Sequence, residues 1–217
     1  MSINKSYAVF GLGRYGLAVA RELVASGVDV LAVDADEAVI NSAAAEIPVC
    51  KCADVSDPEV IKALGISNMD VVVISMAEHL EESVMAVMLC KEAGVPQVVA
   101  KCASDTHGKI LSKVGADKVV LPERESGVRL AKNLLSDGFV DVIELSGNVS
   151  LVELDVKPEW VGKSLIELNL RQKYAINIVA IRQNGEIQIN IDPNEKLTAD
   201  MQLVVISNSA ALGKLRK

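Results

Sequence analysis

A glycine-rich loop near the start of the chain has the spacing of a dinucleotide-binding site. Gly11, Gly13 and Gly16 form a G-x-G-x-x-G pattern between an apolar run and a helical stretch, and Asp34 ends the next apolar run. In such a site the glycines allow a tight turn, approach of the backbone to phosphates and close packing of the helix on the strand. The helix N-terminus attracts the anion, and the acid accepts hydrogen bonds from ribose hydroxyls. We therefore predict a bound adenine nucleotide, with NADP disfavoured because Asp34 would repel its 2′-phosphate.

Three charged residues extend the predicted site toward further phosphates. Arg14 lies inside the loop, where its guanidinium can pair with phosphate oxygens. Lys101 and Glu123 follow the fifth and sixth predicted strands, at the edge where open α/β sheets bind ligands. A carboxylate beside phosphates requires a cation between them, so Glu123 is a candidate ligand for Mg²⁺ or Ca²⁺. The alternative is that all three are ordinary solvent-facing charges.

The elements that must position these residues follow from short apolar runs that alternate with amphipathic stretches. Continuous runs rich in β-branched residues predict strands of a parallel sheet that is buried on both faces. Such runs cover residues 7–10, 28–33, 48–50, 71–74, 97–100 and 118–121. Helix signals lie between them, including a cap at Ser56 or Asp57 and a helix-ending glycine at Gly65. The predicted fold class is α/β, a doubly wound, Rossmann-like sheet over residues 1–138.

A second, smaller α+β domain is predicted over residues 139–217, because the apolar period changes from helical spacing to alternation. Asn184-Gly185 lies between two alternating segments and is a strong hairpin signal. A short helix is expected over residues 163–169, and a short basic helix at the C-terminus. The sequence contains no visible repeat or low-complexity segment.

Composition narrows the class of protein. The 217-residue chain has a net charge of −7, and its basic residues are scattered, which makes nucleic acid an unexpected partner. No apolar run approaches the roughly 20 residues that span a bilayer, so we expect a cytoplasmic, soluble protein. The four cysteines lie in apolar segments and are expected to be reduced core residues.

The chain lacks the usual equipment of an enzyme. Its only histidines are His79 and His107, both expected at the surface near helix starts. No Ser/His/Asp grouping or Tyr-x-x-x-Lys pair is evident, and Cys50-Lys51-Cys52 has neither redox nor zinc spacing. Binding without turnover is therefore favoured. The alternatives are an NAD-dependent oxidoreductase, a sensor of NADH over NAD, and a structural oligomer with a vestigial nucleotide fold.

The whole chain from about residue 7 resembles the RCK/KTN-domain regulatory subunits of bacterial potassium uptake systems, of the KtrA type and related to TrkA. The resemblance rests on "YAVFGLGRYGLAVARELVASGVDVLAVDAD", "ADVSDPEVIKALGISNMDVVVISM", "AKCASDTHGKILSKVGADKVVLPERESGVRLA" and "KSLIELNLRQKYAINIVAIRQNG". It implies a cytoplasmic subunit bound to the inner face of the cell membrane through a potassium channel-like partner of the KtrB type. It further implies a homo-octameric ring built from dimers, activated by ATP and inactivated by ADP, with NAD and NADH as further ligands.

The resemblance also assigns residues. It places the ribose at Asp34 and Asp36, the adenine near Asp54 and Val55, and a cation between neighbouring subunits at Glu123. The full predicted nucleotide set is Gly11, Gly13, Arg14, Tyr15, Gly16, Asp34, Ala35, Asp36, Asp54, Val55, Met76, Lys101 and Glu123. Asp36 stands where the family commonly has a neutral residue, and Met76-Ala77-Glu78 replaces a turn that commonly contains glycine.

A second ligand, cyclic di-AMP, is implied for the C-terminal domain, which is similar to a dimeric module that binds it. The corresponding positions are Leu165, Ile166, Arg171, Asn177, Ile178 and Pro193. Their alternative roles are a core for the aliphatic residues, a helix-end charge for Arg171 and a turn for Pro193.

Overall fold

The computed structural model describes residues 5–134, 139–146, 149–208 and 211. The chain divides into two compact units, Met1–Pro122 and Glu123–Lys217. The helix over Pro122–Leu134 is counted with the second unit, whereas the proposed boundary at residue 138 assigns it to the first domain. Within the described residues, no helix combines the length and apolar character that crossing a bilayer requires.

The first unit is built on six parallel strands in the order β3-β2-β1-β4-β5-β6. The strands are β1 (Tyr7–Phe10), β2 (Val30–Asp34), β3 (Val49–Cys52), β4 (Val71–Ile74), β5 (Gln97–Lys101) and β6 (Lys118–Val120). Phe10 pairs with Val33 on one side and Ile74 on the other, so β1 lies at the centre of the sheet. This order confirms the predicted doubly wound fold, and each strand begins and ends within two residues of its predicted position.

Helices connect the strands and cover both faces of the sheet. They are α1 (Arg14–Ala25), α2 (Glu37–Ala43), α3 (Pro58–Ala63), α4 (Leu80–Glu92) and α5 (Asp105–Lys113). A further helix, α6 (Pro122–Leu134), follows β6 in the chain and is counted with the second unit. Asp57 caps α3 by accepting a hydrogen bond from Glu59 N at 2.9 Å. Gly65 has a φ of 66°, which confirms the predicted left-handed end of that helix.

The sheet is buried on both faces, as its continuous apolar strands predict. On β4, Val72 and Ile74 join the core on one face, while Val71 and Val73 join the core on the other. The cysteines depart from the prediction in part. All four are thiols outside any disulfide, and Cys90 and Cys102 are buried, but Cys50 is half-buried and Cys52 is exposed. The reason is that β3 is an edge strand of this sheet.

The second unit has its own antiparallel sheet, in the order β10-β9-β11-β8-β7. Its further elements are β7 (Phe139–Ser146), β8 (Val149–Asp155), α7 (Leu165–Leu168), α8 (Leu170–Tyr174), β9 (Asn177–Gln183), β10 (Glu186–Gln188) and β11 (Gln202–Asn208). Trp160, Leu168, Ile176 and Leu203 lie in its core. The predicted smaller α+β domain is therefore confirmed as a fold.

Two local features of this unit test the sequence signals directly. Asn184 and Gly185 both have positive φ, 50° and 85°, as the predicted hairpin turn requires. The single helix expected over residues 163–169 is instead two short helices, because Asn169 adopts a left-handed conformation, with φ 47°, between them. The predicted basic C-terminal helix lies outside the described residues.

Candidate nucleotide site

The glycine loop is held in a tight turn between β1 and α1. Gly11 has a φ of 81°, and its N–H donates to Val33 O at 2.8 Å. A Cβ on Gly16 would lie 1.9 Å from Gly11 O and 3.1 Å from the Cβ of Ser75, the residue that follows β4. The third glycine thus allows the first turn of α1 to pack closely against the backbone that follows β1, as the spacing predicts.

Gly13 lies at the open side of the same loop and forms the N-cap of α1. A Cβ built there would meet no heavy atom of the described residues within 4 Å. Within the described part of the chain no side chain caps this helix, so its first N–H groups have no side-chain acceptor there. Arg14, the first helical residue, is exposed beside them. N–H groups at a helix start, the helix dipole and a guanidinium all favour an anion, which is the basis of the predicted phosphate site.

Asp34 fastens the loop to the end of β2. One carboxylate oxygen, Oδ2, accepts from Leu12 N at 2.6 Å, and the other, Oδ1, accepts from Asp36 N at 2.9 Å. Sequence reasoning predicts only a ribose contact for this residue and misses its bond to the loop. A carboxylate offers about four lone-pair positions, so these two bonds leave acceptor capacity for ribose hydroxyls.

Two further acids lie near the ends of β2 and β3, at the same edge of the sheet. Asp36 caps α2, its Oδ1 accepting from Ala38 N at 2.8 Å. Asp54 accepts from the Ser56 hydroxyl at 2.6 Å and from Ser56 N at 2.9 Å, and these bonds lower the pKa of its carboxyl. Val55 beside it is buried. The described edge of the sheet is therefore acidic on this side, which opposes binding of a 2′-phosphate.

A positive charge stands on the other side of the loop. Lys101 is the last residue of β5, and its Nζ lies 5.7 Å from the centroid of the Tyr15 ring, on the first turn of α1. Met76 follows β4, and its Cγ would be 2.7 Å from a Cβ on Gly11. The fold thus brings Gly11, Met76, Tyr15 and Lys101 together at the glycine loop. Ala35, also predicted to contact the nucleotide, follows β2 and lies between Asp34 and Asp36.

Glu123 is the second residue of α6 and belongs to the second compact unit. Across the described ranges, no three or more His, Cys, Asp or Glu side chains are grouped so that they could hold a metal ion. A cation at Glu123 would therefore take ligands from outside this set, such as phosphate oxygens. The predicted cation site stays a prediction.

The predicted cyclic di-AMP residues lie together in the second unit. A pocket of about 250 Å³ is lined by Leu165, Asn169, Leu170, Arg171, Ile176, Asn177 and Ile178. Four of these belong to the predicted set. The other two predicted residues, Ile166 and Pro193, are not among those that line the pocket. Ile166 is 59% exposed, and its N–H donates to Pro193 O at 3.2 Å. Sequence reasoning misses Asn169, although an Asn between two apolar helical stretches is a signal for the left-handed turn found there.

The two histidines differ from each other. The His79 side chain is 63% exposed at the start of α4, which confirms its surface position. The expectation for His107 is wrong, because that residue of α5 is 6% exposed and contacts α4 through Ser83. Its Nδ1 accepts from Ala103 N at 3.3 Å, so its Nε2 carries the proton and donates to Ser83 Oγ at 3.0 Å. The Ser83 hydroxyl donates onward to Leu80 O at 2.9 Å.

These contacts give His107 a structural role. Burial lowers the pKa of the imidazole and so favours its neutral form, and both ring nitrogens are hydrogen-bonded to protein groups. A neutral imidazole with both nitrogens occupied by protein groups is not available as an acid or base at the sheet edge.

Fold and loop together define a nucleotide-binding, Rossmann-like protein with an appended antiparallel domain. Comparison with known families matches residues 7–122 to the TrkA-N domain and residues 149–217 to the TrkA-C domain. The chain belongs to this family of potassium uptake regulators, which confirms the resemblance predicted from its motifs.

Relatives cover nearly the whole chain. Ktr system potassium uptake protein C of Bacillus subtilis is 36% identical over 99% of this chain and 97% of its own length. Ktr system potassium uptake protein A of the same organism is 33% identical over 94% and 92%. Among solved structures, the GsuK channel superposes on 99% of this chain with a TM-score of 0.71 and 18% identity, and its NAD-bound form with 0.66 and 17%. The chain spans 39% of that channel, and this likeness shows the fold.

Proposed function

We propose that this chain is a non-enzymatic regulatory subunit that senses adenine nucleotides and gates a membrane potassium transporter. The observation that carries the proposal is the open, uncapped N-terminus of α1 behind Gly13, with Arg14 beside it, in a chain related to Ktr proteins over nearly its full length. Such a site binds phosphate without needing a catalytic acid or base. The partner would be a channel-like membrane subunit, and the protein would act from the cytoplasm.

ATP and ADP would act through a difference in affinity between two conformations. A ligand shifts a conformational equilibrium only as far as it binds one state more tightly than the other. The terminal phosphate of ATP would pair with Arg14, and a divalent cation held by Glu123 between neighbouring subunits would add to its neutralisation. ADP lacks this phosphate, so it would leave the same contacts unmade.

Assembly and the second ligand belong to the same proposal. The domain boundary would lie at residue 138, and eight chains would form a ring built from dimers. Cyclic di-AMP bound at the pocket beside Arg171 and Asn177 would let this ring respond to two signals, the adenine nucleotide and cyclic di-AMP. The support for the second ligand is the pocket itself, which places apolar side chains beside one arginine and two asparagine amides. Apolar walls with few convergent polar groups are typical of small-molecule sites.

Redox sensing is the second candidate. The NAD-bound form of the GsuK channel shares this fold, and the loop of Gly11, Gly13 and Gly16 accepts dinucleotides as well as mononucleotides. A preference for NADH over ATP, together with an NADH-dependent change in assembly, would favour this function. Turnover of an alcohol or hydroxy acid would instead indicate an oxidoreductase.

Calorimetric titration with ATP, ADP, NAD and NADH, with and without Mg²⁺ or Ca²⁺, tests the proposal, together with native mass measurement. We expect ATP to bind more tightly than ADP, and Arg14→Ala to reduce that ratio by about tenfold, the loss of a charge-assisted hydrogen bond. Arg21→Ala is the matched control, because Arg21 lies on the same helix but pairs with Glu46. Equal affinity for ATP and ADP, or a stable monomer, would contradict the proposal.

A further inference from the structure

Tyr15 and Lys101 are joined across two elements that meet at the nucleotide loop. Tyr15 is half-buried in the first turn of α1, directly after Arg14, and Lys101 is half-buried at the end of β5. The ammonium lies 5.7 Å from the ring centroid, within the range of a cation–π contact. The contact therefore links the helix that carries the phosphate site to a strand two positions away from β1 in the sheet.

From this geometry we infer that Tyr15 is a positioning residue, which holds the Lys101 ammonium beside the phosphate loop. The inference rests on the proposed nucleotide site. It adds Tyr15 to the residues that determine how strongly that site prefers ligands with phosphates. A lysine side chain has many rotamers, and each contact that restricts them before binding lowers the entropy lost when phosphate binds. The ring face attracts the ammonium by electrostatics, so the phenolic hydroxyl is not required.

The inference gives Tyr15 a role through Lys101, in addition to the nucleotide contact that the resemblance implies for it. A direct contact to the base or sugar would matter equally for adenosine and for ATP. A role through Lys101 matters only for ligands with phosphates, and only while Lys101 is present. The ring face also offers the right control, because Phe keeps the cation–π surface and Leu keeps the apolar bulk without it.

A double-mutant cycle tests the inference. ATP and adenosine are titrated against the full chain and the variants Tyr15→Leu, Lys101→Met and the double variant, with Tyr15→Phe as the conservative control. We expect Tyr15→Leu to weaken ATP binding about two- to fivefold, the range of an exposed cation–π contact. Adenosine binding should fall by less than ATP binding does, and Tyr15→Phe should lose less ATP affinity than Tyr15→Leu. In the Lys101→Met background, Tyr15→Leu should have a smaller effect on ATP binding.

Additive losses in the cycle, or an equal loss for adenosine, would overturn the positioning role. A second measurement needs no nucleotide. In NMR spectra of the ligand-free protein, the Lys101 side-chain protons should be shifted upfield by the Tyr15 ring, and the shift should vanish in Tyr15→Leu but remain in Tyr15→Phe. Failure of the wild type to bind ATP would refute the proposed function and the phosphate role with it, whereas an unshifted Lys101 in a protein that binds ATP would refute the positioning contact alone.

Discussion

Substituting the two glycines on either side of Arg14 should have opposite consequences. In Gly16→Ala the new Cβ would lie 1.9 Å from the backbone oxygen of Gly11, so the helix must move away from the loop by more than 1 Å to reach an ordinary contact. Overpacking against backbone costs about 3 kcal/mol, offset by at most about 1 kcal/mol of helix propensity. We expect a net loss of about 2 kcal/mol in the free energy of unfolding, or roughly 5–10 °C in Tm.

In Gly13→Ala the added methyl group would meet open space, and the backbone at φ −59° and ψ −175° suits alanine. The cost should be below about 1 kcal/mol, the difference between Gly and Ala at an N-cap. The methyl group would stand where a phosphate must approach, so nucleotide affinity should fall by about tenfold or more.

Thermal unfolding and calorimetric titration of both variants measure the two effects separately. Gly16→Ala should be the less stable protein, and Gly13→Ala should be the weaker binder at nearly wild-type stability. A Gly13→Ala protein that binds ATP normally would refute the claim that phosphate enters at the open side of the loop. A Gly16→Ala protein of unchanged Tm would refute the packing account.

Three further substitutions or conditions test other parts of the molecule. In Asp34→Asn the side-chain NH₂ group must face either Leu12 N or Asp36 N, so one hydrogen bond is lost. The free energy of unfolding, measured with denaturant, should fall by about 1 kcal/mol. An unchanged midpoint would show that Asp34 does not hold the loop to β2. The pKa of His107 lies below its ordinary value of 6.5, so its contribution to stability should be complete above pH 6.5 and should decrease as the pH falls below 6.5. His107→Gln should reduce this pH dependence of stability. A wild-type protein that is equally stable at pH 5 and 7.5 would contradict the prediction. Gly185 has a φ of 85°, a conformation that disfavours a residue with a Cβ, so Gly185→Ala should destabilise the second unit by about 1 kcal/mol in thermal unfolding. A more stable variant would show that alanine fits this turn without strain.

The strands and the loop could be predicted because local rules determine them. A parallel strand buried on both faces is a continuous apolar run, and a G-x-G-x-x-G turn needs positive φ at Gly11 whatever surrounds it. The carboxyl ends of parallel strands share one edge, so Asp34 and Lys101 could be assigned to one site from their strand positions alone.

The features that sequence reasoning misses depend on neighbours that are distant in the chain. His107 is polar and follows a helix cap, which is typical of a surface residue, yet Ser83 on α4 satisfies its ring and allows burial. Cys52 lies in an apolar strand, but that strand is at the sheet edge, and its position in the sheet is not a local property. The Asp34 bond to Leu12 and the Tyr15 contact with Lys101 likewise exist only once the sheet has formed.

The most direct test of the central claim is potassium flux through the membrane partner, reconstituted in vesicles with this chain, in the presence of ATP or ADP. We expect ATP to give the higher flux, ADP the lower, and Arg14→Ala to bring the two together while Arg21→Ala leaves them apart. Equal flux with ATP and ADP in the wild-type assembly would contradict the account.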